Sequence, residues 1–238
     1  MGNILELSSL TVLCSNYNSA RWVKGYCQNL NNQLLTNFDI VVVDAASTDN
    51  SLEVLKSFEF RNGITVKILE CKERVSIYQA WNMATEIAAT QYCINVNVDD
   101  RLFPSALLTM LSYARAEPAV DLFYSRCLVT LDPDHLKYAN MFDYPEFSHD
   151  ALLRECICGP FPMWKRETIV QAGLFNTQFQ FAGDYEMWLR LSAKGYSFRK
   201  VPEIIGSYFY NPQGISTDVR TKQERILENE TIQRLYRR

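Results

Sequence analysis

Residues 40–51 read I-V-V-V-D-A-A-S-T-D-N-S: four β-branched positions, Ile40-Val41-Val42-Val43, run into Asp44 and then into a polar stretch that opens a helical pattern. A short apolar run that stops at a carboxylate and passes into helix-entry residues is a strand followed by a helix. The same unit recurs on both sides. Strands are predicted at Leu10–Cys14, Ile64–Glu70 and Tyr92–Val98, with Val120–Val129 a fifth. Between the first two strands Val23, Cys27, Leu30 and Leu34 fall at i, i+4, i+7 and i+11, one apolar stripe of a helix. Asn50-Ser51-Leu52-Glu53 has the spacing of an Asn-led capping box, Ile77–Ala89 reads as a third helix, and Pro104 suits the first turn of a fourth. This alternation predicts an α/β fold with an open, mostly parallel central sheet flanked by helices.

Beyond residue 130 the pattern loosens. Leu131–Glu155 carries Pro133, Pro145 and many aromatics, and reads as an ordered but irregular segment. Helices return at Arg166–Ala172, closed by Gly173, and at Gly183–Lys194, closed by Gly195, with glycine where a left-handed C′ is wanted. Two short strands, Ser197–Val201 and Ile205–Tyr210, precede a polar helix over Thr217–Arg238 whose terminal arginines suit a helix C-terminus.

The composition narrows the function. Of 238 residues 47% are apolar and 21% charged, with 9 Gly and 8 Pro, which excludes disordered and collagen-like classes. The net charge of −3 is uneven: residues 1–100 hold 7 basic and 11 acidic groups, the remainder 17 and 16. No basic stripe is present, so a nucleic-acid partner is not expected. The Ile40–Val43 run falls far short of the roughly 20 residues of a spanning helix. Met1–Glu6 has neither the basic nor the apolar region of a secretory signal, and residue 6 is not the Ser or Thr of a myristoylation motif. Seven cysteines, an odd number mostly within apolar runs, read as reduced core residues of a cytoplasmic protein, and Cys156-Ile157-Cys158 lacks the second pair that would make it a zinc site.

In an open parallel sheet ligands bind where the carboxyl ends of the strands meet helix N-termini. Ser15-Asn16-Tyr17-Asn18 follows the first strand, Asp44 ends the second, and Asn97-Val98-Asp99-Asp100 ends the fourth. No glycine-rich phosphate loop is present, which argues against dinucleotide binding, a P-loop and nucleotidyl transfer. Adjacent Asp99 and Asp100 would suit Mg²⁺ or Mn²⁺, which take hard oxygen ligands alongside phosphates and water; the pair would equally form an Asx turn into the Pro104 helix. Asp44 is ordinary helix-entry chemistry or a nucleotide contact. Asp184 is an N-cap or a general base. Trp188 and Arg190 read as packing and as a surface or phosphate cation. His135 and His149 have no metal-ligand spacing and read as structural or solvated.

Five segments in order resemble family 2 glycosyltransferases of the GT-A fold, across nearly the whole chain. Thr11-Val12-Leu13-Cys14-Ser15-Asn16-Tyr17-Asn18 is similar to the family's first strand and its Thr/Ser-x-Tyr-Asn turn. Ile40–Ser51 resembles V-V-D-D/N-G-S-T-D-x-S, and Ile77-Tyr78-Gln79-Ala80-Trp81-Asn82 resembles I-Y-D-A-M-N. Asn97-Val98-Asp99-Asp100 sits where D-x-D-D is expected, and Gly183–Arg190 resembles E-D-Y-D-x-W-L-R.

The resemblance implies a single domain over 1–238, with a nucleotide and metal half (1–130), an acceptor and base half (131–216) and a C-terminal helix (217–238). It implies that Ser15, Asn16, Tyr17, Asp44 and Asp99 contact the nucleotide of a nucleoside-diphosphate sugar, UDP being the first expectation. Asp99 and Asp100, with Asn97 as a further ligand, would hold a divalent metal, Mn or Mg, and Asp184 would deprotonate the acceptor hydroxyl in an inverting displacement. Trp164, Trp188 and Arg190 are expected to meet a saccharide or lipid-linked saccharide acceptor in surface polysaccharide synthesis. Tyr138, Phe142, Tyr144, Phe147 and Phe161 offer further flat faces, with at least half of these aromatics expected in the core. Asn211–Ser216 would be a lid hinged at Gly214, or a plain turn. The chain is expected to act in the cytoplasm, with peripheral association at the inner membrane face. Three positions depart from the family pattern: Asn97 for the first Asp, Ala45-Ala46 for a polar-glycine pair, and Gly183 for Glu. They leave a second reading, a catalytically inactive sugar- or nucleotide-binding module. The Q-x-x-R-W signature of processive synthases is absent, so one sugar per encounter is expected.

Overall fold

The computed structural model describes residues 8–135 and 137–237; Met1–Glu6, read above for targeting signals, and Arg238 lie outside them. β1 (Leu10–Asn16), β2 (Phe38–Asp44) and β3 (Ile64–Glu70) lie parallel, and β4 (Tyr92–Asn95) pairs with the other edge of β1. Between them run α1 (Ala20–Asn31), α2 (Ser51–Ser57) and α3 (Ile77–Ile87). Beyond β4 the sheet is mixed. β8 (Met163–Lys165) is inserted antiparallel between β4 and β6 (Leu122–Thr130), β9 (Phe198–Phe209) runs parallel to β6, and β5 (Arg101–Leu102) and β7 (Tyr138–Phe142) pair antiparallel with β9 and β6. The order β3-β2-β1-β4-β8-β6-β9-β5 makes one α/β sheet, parallel in its first four strands as expected.

Alternation along β1 sends Val12 and Cys14 to one face and Leu13 to the other, and a separate apolar cluster covers each. The first gathers Val23, Cys27 and Leu30 of α1 with Leu107 and Met110 of α4 (Ala106–Ala116). Each fully buried side chain of this size contributes about 1.5–3 kcal/mol relative to exposure. The second cluster gathers Ala80 and Ala84 of α3 with Met187, Trp188 and Leu189 of α7 (Gly183–Ala193). Three further helices, α5 (His149–Arg154), α6 (Arg166–Ala172) and α8 (Lys222–Tyr236), lie in the C-terminal half.

Several local expectations are corrected. α1 ends at Asn31, so Leu34 drops off the stripe and is exposed. Asn50 is the N-cap of α2 but its side chain caps nothing; Asp49 accepts from the Ser51 amide instead. α4 starts two residues after Pro104, with Ser105 at its N-cap. The two strands expected around Pro202 are one. β9 spends twelve residues where β6 spends nine, and the excess is taken up in register shifts opposite Ser125, Arg126 and Leu128. The irregular segment contains β7 and α5, and the C-terminal helix begins at Lys222 after one 3-10 turn. Gly173 and Gly195 have φ of 99° and 84°, the left-handed C-termini that the sequence asks for. All seven cysteines are free. No helix among the described residues is long and apolar enough to cross a membrane.

Candidate active site

The carboxyl ends of β1 and β4, the residues after β2, the N-termini of α3 and α7, and the tail of β9 surround one cleft of about 1220 Å³. Its first wall is built by mutual bracing of two turns. Asn16 is fully buried, and its amide donates to Asp44 Oδ1 (2.6 Å), Ser47 Oγ (3.2 Å) and Ser51 Oγ (3.0 Å), while its carbonyl oxygen accepts from Ser19. Ser47 donates to Asp44 through both its amide (3.0 Å) and its hydroxyl (2.6 Å). Asn18, at φ 47°, accepts from the Thr48 amide, and Asp49 accepts from Ala20 at the start of α1. A carboxylate taken out of water needs such partners, and Asp44 finds them in Ser47 of its own turn and Asn16 at the end of β1. Asp44 is 2% exposed and does not line the cleft, nor does Asn16. Both brace the turns in this structure, and neither of these two expected nucleotide contacts reaches the cleft wall. Residues two apart share a side of a strand, and Ser15 and Tyr17, on the opposite side from Asn16, do face the cleft.

Tyr17 is 39% exposed, and the Arg74 guanidinium lies 4.1 Å from its ring centroid. Arg74 also lines the cleft. Sequence reasoning missed it, because it is a lone arginine in the loop before α3.

The acid pair divides. Asp99 and Asn97 line the cleft. Burial raises the Asp99 carboxyl above its ordinary range, against a hydrogen bond with Asn211 and the charge of Arg101. Asp100 turns inward: Oδ1 accepts from the Phe209 amide of β9 (2.9 Å) and Oδ2 from Asn97 (3.3 Å), and burial together with the Asp99 charge pushes its carboxyl well up. Asp100, expected as a metal ligand, has both oxygens engaged in this structure and is 1% exposed. Beneath the turn Arg101 donates to the carbonyls of Val98 (3.0 Å) and Asp100 (2.8 Å) and pairs with Asp134 (2.9 Å). No group of three or more His, Cys, Asp or Glu arranged for a metal occurs among the described residues. One cleft-facing carboxylate beside a neutral amide does not fit a closed protein cage. It fits a hard cation that completes its shell from diphosphate and water.

Asp184 occupies the first turn of α7, where a carboxylate is favoured by the helix dipole. The N-cap is Ala182, so Asp184 is not the cap. Its Oδ1 accepts from the Tyr78 hydroxyl (3.3 Å) and the Tyr185 amide (2.9 Å), and it lines the cleft. Burial raises its carboxyl above the ordinary range, with those two hydrogen bonds opposing. Gly183 has a local reason: a Cβ there would lie 2.9 Å from the Tyr78 ring.

The expected acceptor residues are placed differently from one another. Trp164 is fully buried, 5.6 Å from Trp188 between ring centroids, and does not reach the cleft; Trp188 is equally buried but is among the residues lining it. Arg190 is spent on Glu186 (3.0 and 2.9 Å) and on the carbonyls of Ala172 (2.6 Å) and Leu174 (2.7 Å) after α6. Among the other aromatics Phe142 and Tyr144 line the cleft, Phe161 is core, Phe147 stacks on Phe198, and Tyr138 is exposed outside the cleft. Asn211–Ser216, apart from Pro212, forms part of the wall. His149 bonds Ser192, and exposed His135 bonds Asp132. On the floor, both amide atoms of Asn95 are buried with no hydrogen-bond partner among the described residues.

The sequence model of glycosyl transferase family 2 matches residues 11–172. The chain belongs to that family. The match takes in the first wall and the acid pair and stops short of α7. Among its relatives is a chondroitin synthase of Pasteurella multocida, 25% identical over 235 residues, covering 98% of this chain and 24% of the synthase. The chain spans a third or less of the length of the chondroitin and hyaluronan synthases it resembles. Staphylococcus aureus TarS 1–349, solved with UDP-GlcNAc, superposes with a TM-score of 0.79 at 14% identity over 96% of this chain and 66% of that one. The mannosyltransferase PcManGT of Pyrobaculum calidifontis, solved with GDP-Man and Mn²⁺, gives a TM-score of 0.68 at 19% identity over 88% of this chain and 59% of that one. These likenesses support the GT-A fold, and the chain carries a family 2 glycosyltransferase domain.

Proposed function

We propose that this domain is an inverting glycosyltransferase, moving a sugar from a nucleoside-diphosphate sugar, with UDP the first candidate, to a hydroxyl of a saccharide or lipid-linked saccharide in surface polysaccharide synthesis. The observation that carries the reading is that Asp99, in the turn after β4, and Asp184 of α7 line one cleft. Ser15, Tyr17 and Arg74 would receive the nucleotide, the ring and guanidinium offering a flat cationic face to a base. Asp99, with Asn97 beside it, would hold a divalent cation whose charge supports the departing diphosphate. Asp184 takes the proton from the acceptor hydroxyl as its oxygen attacks the anomeric carbon and the bond to diphosphate breaks, inverting that centre. Tyr78 orients the carboxylate through its hydroxyl. Asn95, with an unmet donor and acceptor, offers hydrogen bonds to a sugar hydroxyl on the floor. A half-buried carboxylate with raised affinity for protons suits a base, and this environment favours catalysis over a purely binding module.

The test is a thermal shift with UDP, with and without Mn²⁺, since a ligand of the folded state raises its stability. The expected result is a rise with UDP that grows with Mn²⁺ in the native protein and loses its Mn²⁺ component in Asp99→Asn. An equal response in both proteins would overturn Asp99 as the metal ligand.

A further inference from the structure

The amides of Gln180, Phe181 and Ala182 lead into α7, and all three point at one side chain far along the chain. Glu228 of α8 accepts from Gln180 at 2.7 Å through Oε1, and from Phe181 (2.7 Å) and Ala182 (2.6 Å) through Oε2. Ala182, the N-cap, has no side-chain oxygen with which to cap α7. A helix start needs acceptors for its first amides, and here α8 provides one for the residues just ahead of the helix. Gln180 and Phe181 line the cleft, and Asp184 follows two residues after Ala182. α8 is otherwise polar and anchored at separate points: Ile232 is its one buried residue among those described, Tyr236 donates to Glu186 at 2.5 Å, and Gln233 reaches the Arg154 carbonyl.

We propose that Glu228 is a positioning residue for sugar transfer, fixing the 180–182 backbone so that Asp184 is presented to the acceptor hydroxyl, and placing a fixed negative charge beside the start of α7. The proposal rests on Asp184 being the base. The charge acts on Asp184 in the direction a base needs: Glu228 adds to the effect of burial in holding the Asp184 carboxyl up, and it acts on Tyr78 in the same sense. The other titratable groups that face Asp184 are the Tyr78 hydroxyl of α3 and the Cys156 and Cys158 thiols after α5, all held protonated by burial. A residue that only anchored α8 to the domain would affect overall stability without moving the titration of Asp184.

The titration at the centre of the experiment needs neither donor nor acceptor. In protein labelled with ¹³C at the aspartate carboxyls, the Asp184 resonance is assigned by its loss in Asp184→Asn and titrated with pH, while hydrogen exchange is followed at Gln180, Phe181 and Ala182. In Glu228→Gln the Asp184 midpoint is expected to fall and exchange at these amides to quicken roughly tenfold or more, with UDP and Mn²⁺ binding unchanged. Tyr236→Phe, which loosens α8 away from the 180–182 backbone, should leave the midpoint in place. An unmoved midpoint in Glu228→Gln overturns the proposal, as does an equal shift in Tyr236→Phe. If instead Asp184→Asn retained full transfer activity while the titration shifted as expected, the base assignment would fail and the Glu228 contact would stand.

Discussion

The two walls of the cleft hold their carboxylates by opposite means. On the β1–β2 side Asp44 is sealed inside a network drawn from residues 16–51, and its charge is spent on keeping two turns together. On the α7 side Asp184 is left facing the cleft, steadied by Tyr78 from more than a hundred residues upstream, while the backbone before it is steadied by Glu228 from beyond it. One carboxylate is enclosed by residues of two adjoining turns, the other, proposed above as the base, is kept facing the cleft from a distance. What separates them is whether neighbouring turns already engage both oxygens.

The sharpest way to break this contrast is to neutralise each carboxylate in turn. Asp184→Asn should lower transfer by about 10²–10⁴-fold, the range for loss of a positioned base, with little change in unfolding temperature. In the native protein the rate should fall on the acid side at a pH above the ordinary carboxylate range, because protonation removes the base and burial has raised the pH at which it occurs. Rate measurements over pH against a nucleotide-sugar panel read both, and a fully active Asp184→Asn ends the assignment. Asp44→Ala should instead cost about 3 kcal/mol in urea unfolding, since buried Asn16 and half-buried Ser47 are left as donors without their acceptor. Tyr17→Ala, one residue beyond Asn16 but facing the cleft, should change stability by less than about 0.5 kcal/mol while weakening UDP binding by about 1 kcal/mol through loss of the Arg74 stack. Calorimetry that found the reverse, with Asp44→Ala stable and Tyr17→Ala unfolded, would erase the contrast. The smallest effect tests the floor: Asn95→Leu should stabilise the fold by about 1 kcal/mol by removing an unpaired buried amide, while lowering transfer if that amide receives substrate.

The same contrast explains what was legible in the sequence. β1, β2 and β3 announce themselves because an apolar run with turn residues at its end is a local signal, and so are the glycine stops at 173 and 195. β5 and β8 are two and three residues long and exist only through their partners, so no periodicity reveals them. Asp99 and Asp100 are equivalent by spacing. They diverge because the Phe209 amide, 109 positions away, captures one of them. Trp164 and Arg190 carry the right chemistry for an acceptor, yet one is fully buried against Phe175 and Trp188 and the other is turned to the end of α6. Glu228 left no trace in any motif, because what it binds is backbone.

The extra residues in β9 act as a length gauge. They lie upstream of Ser207, and from there to Phe209 the strand returns to an even count against β6 before delivering Phe209 to Asp100 and Asn211 to Asp99. Removing one residue near Glu203 would exchange the inward and outward sides of everything downstream. The buried side chains of the strand and the acid pair both depend on that count.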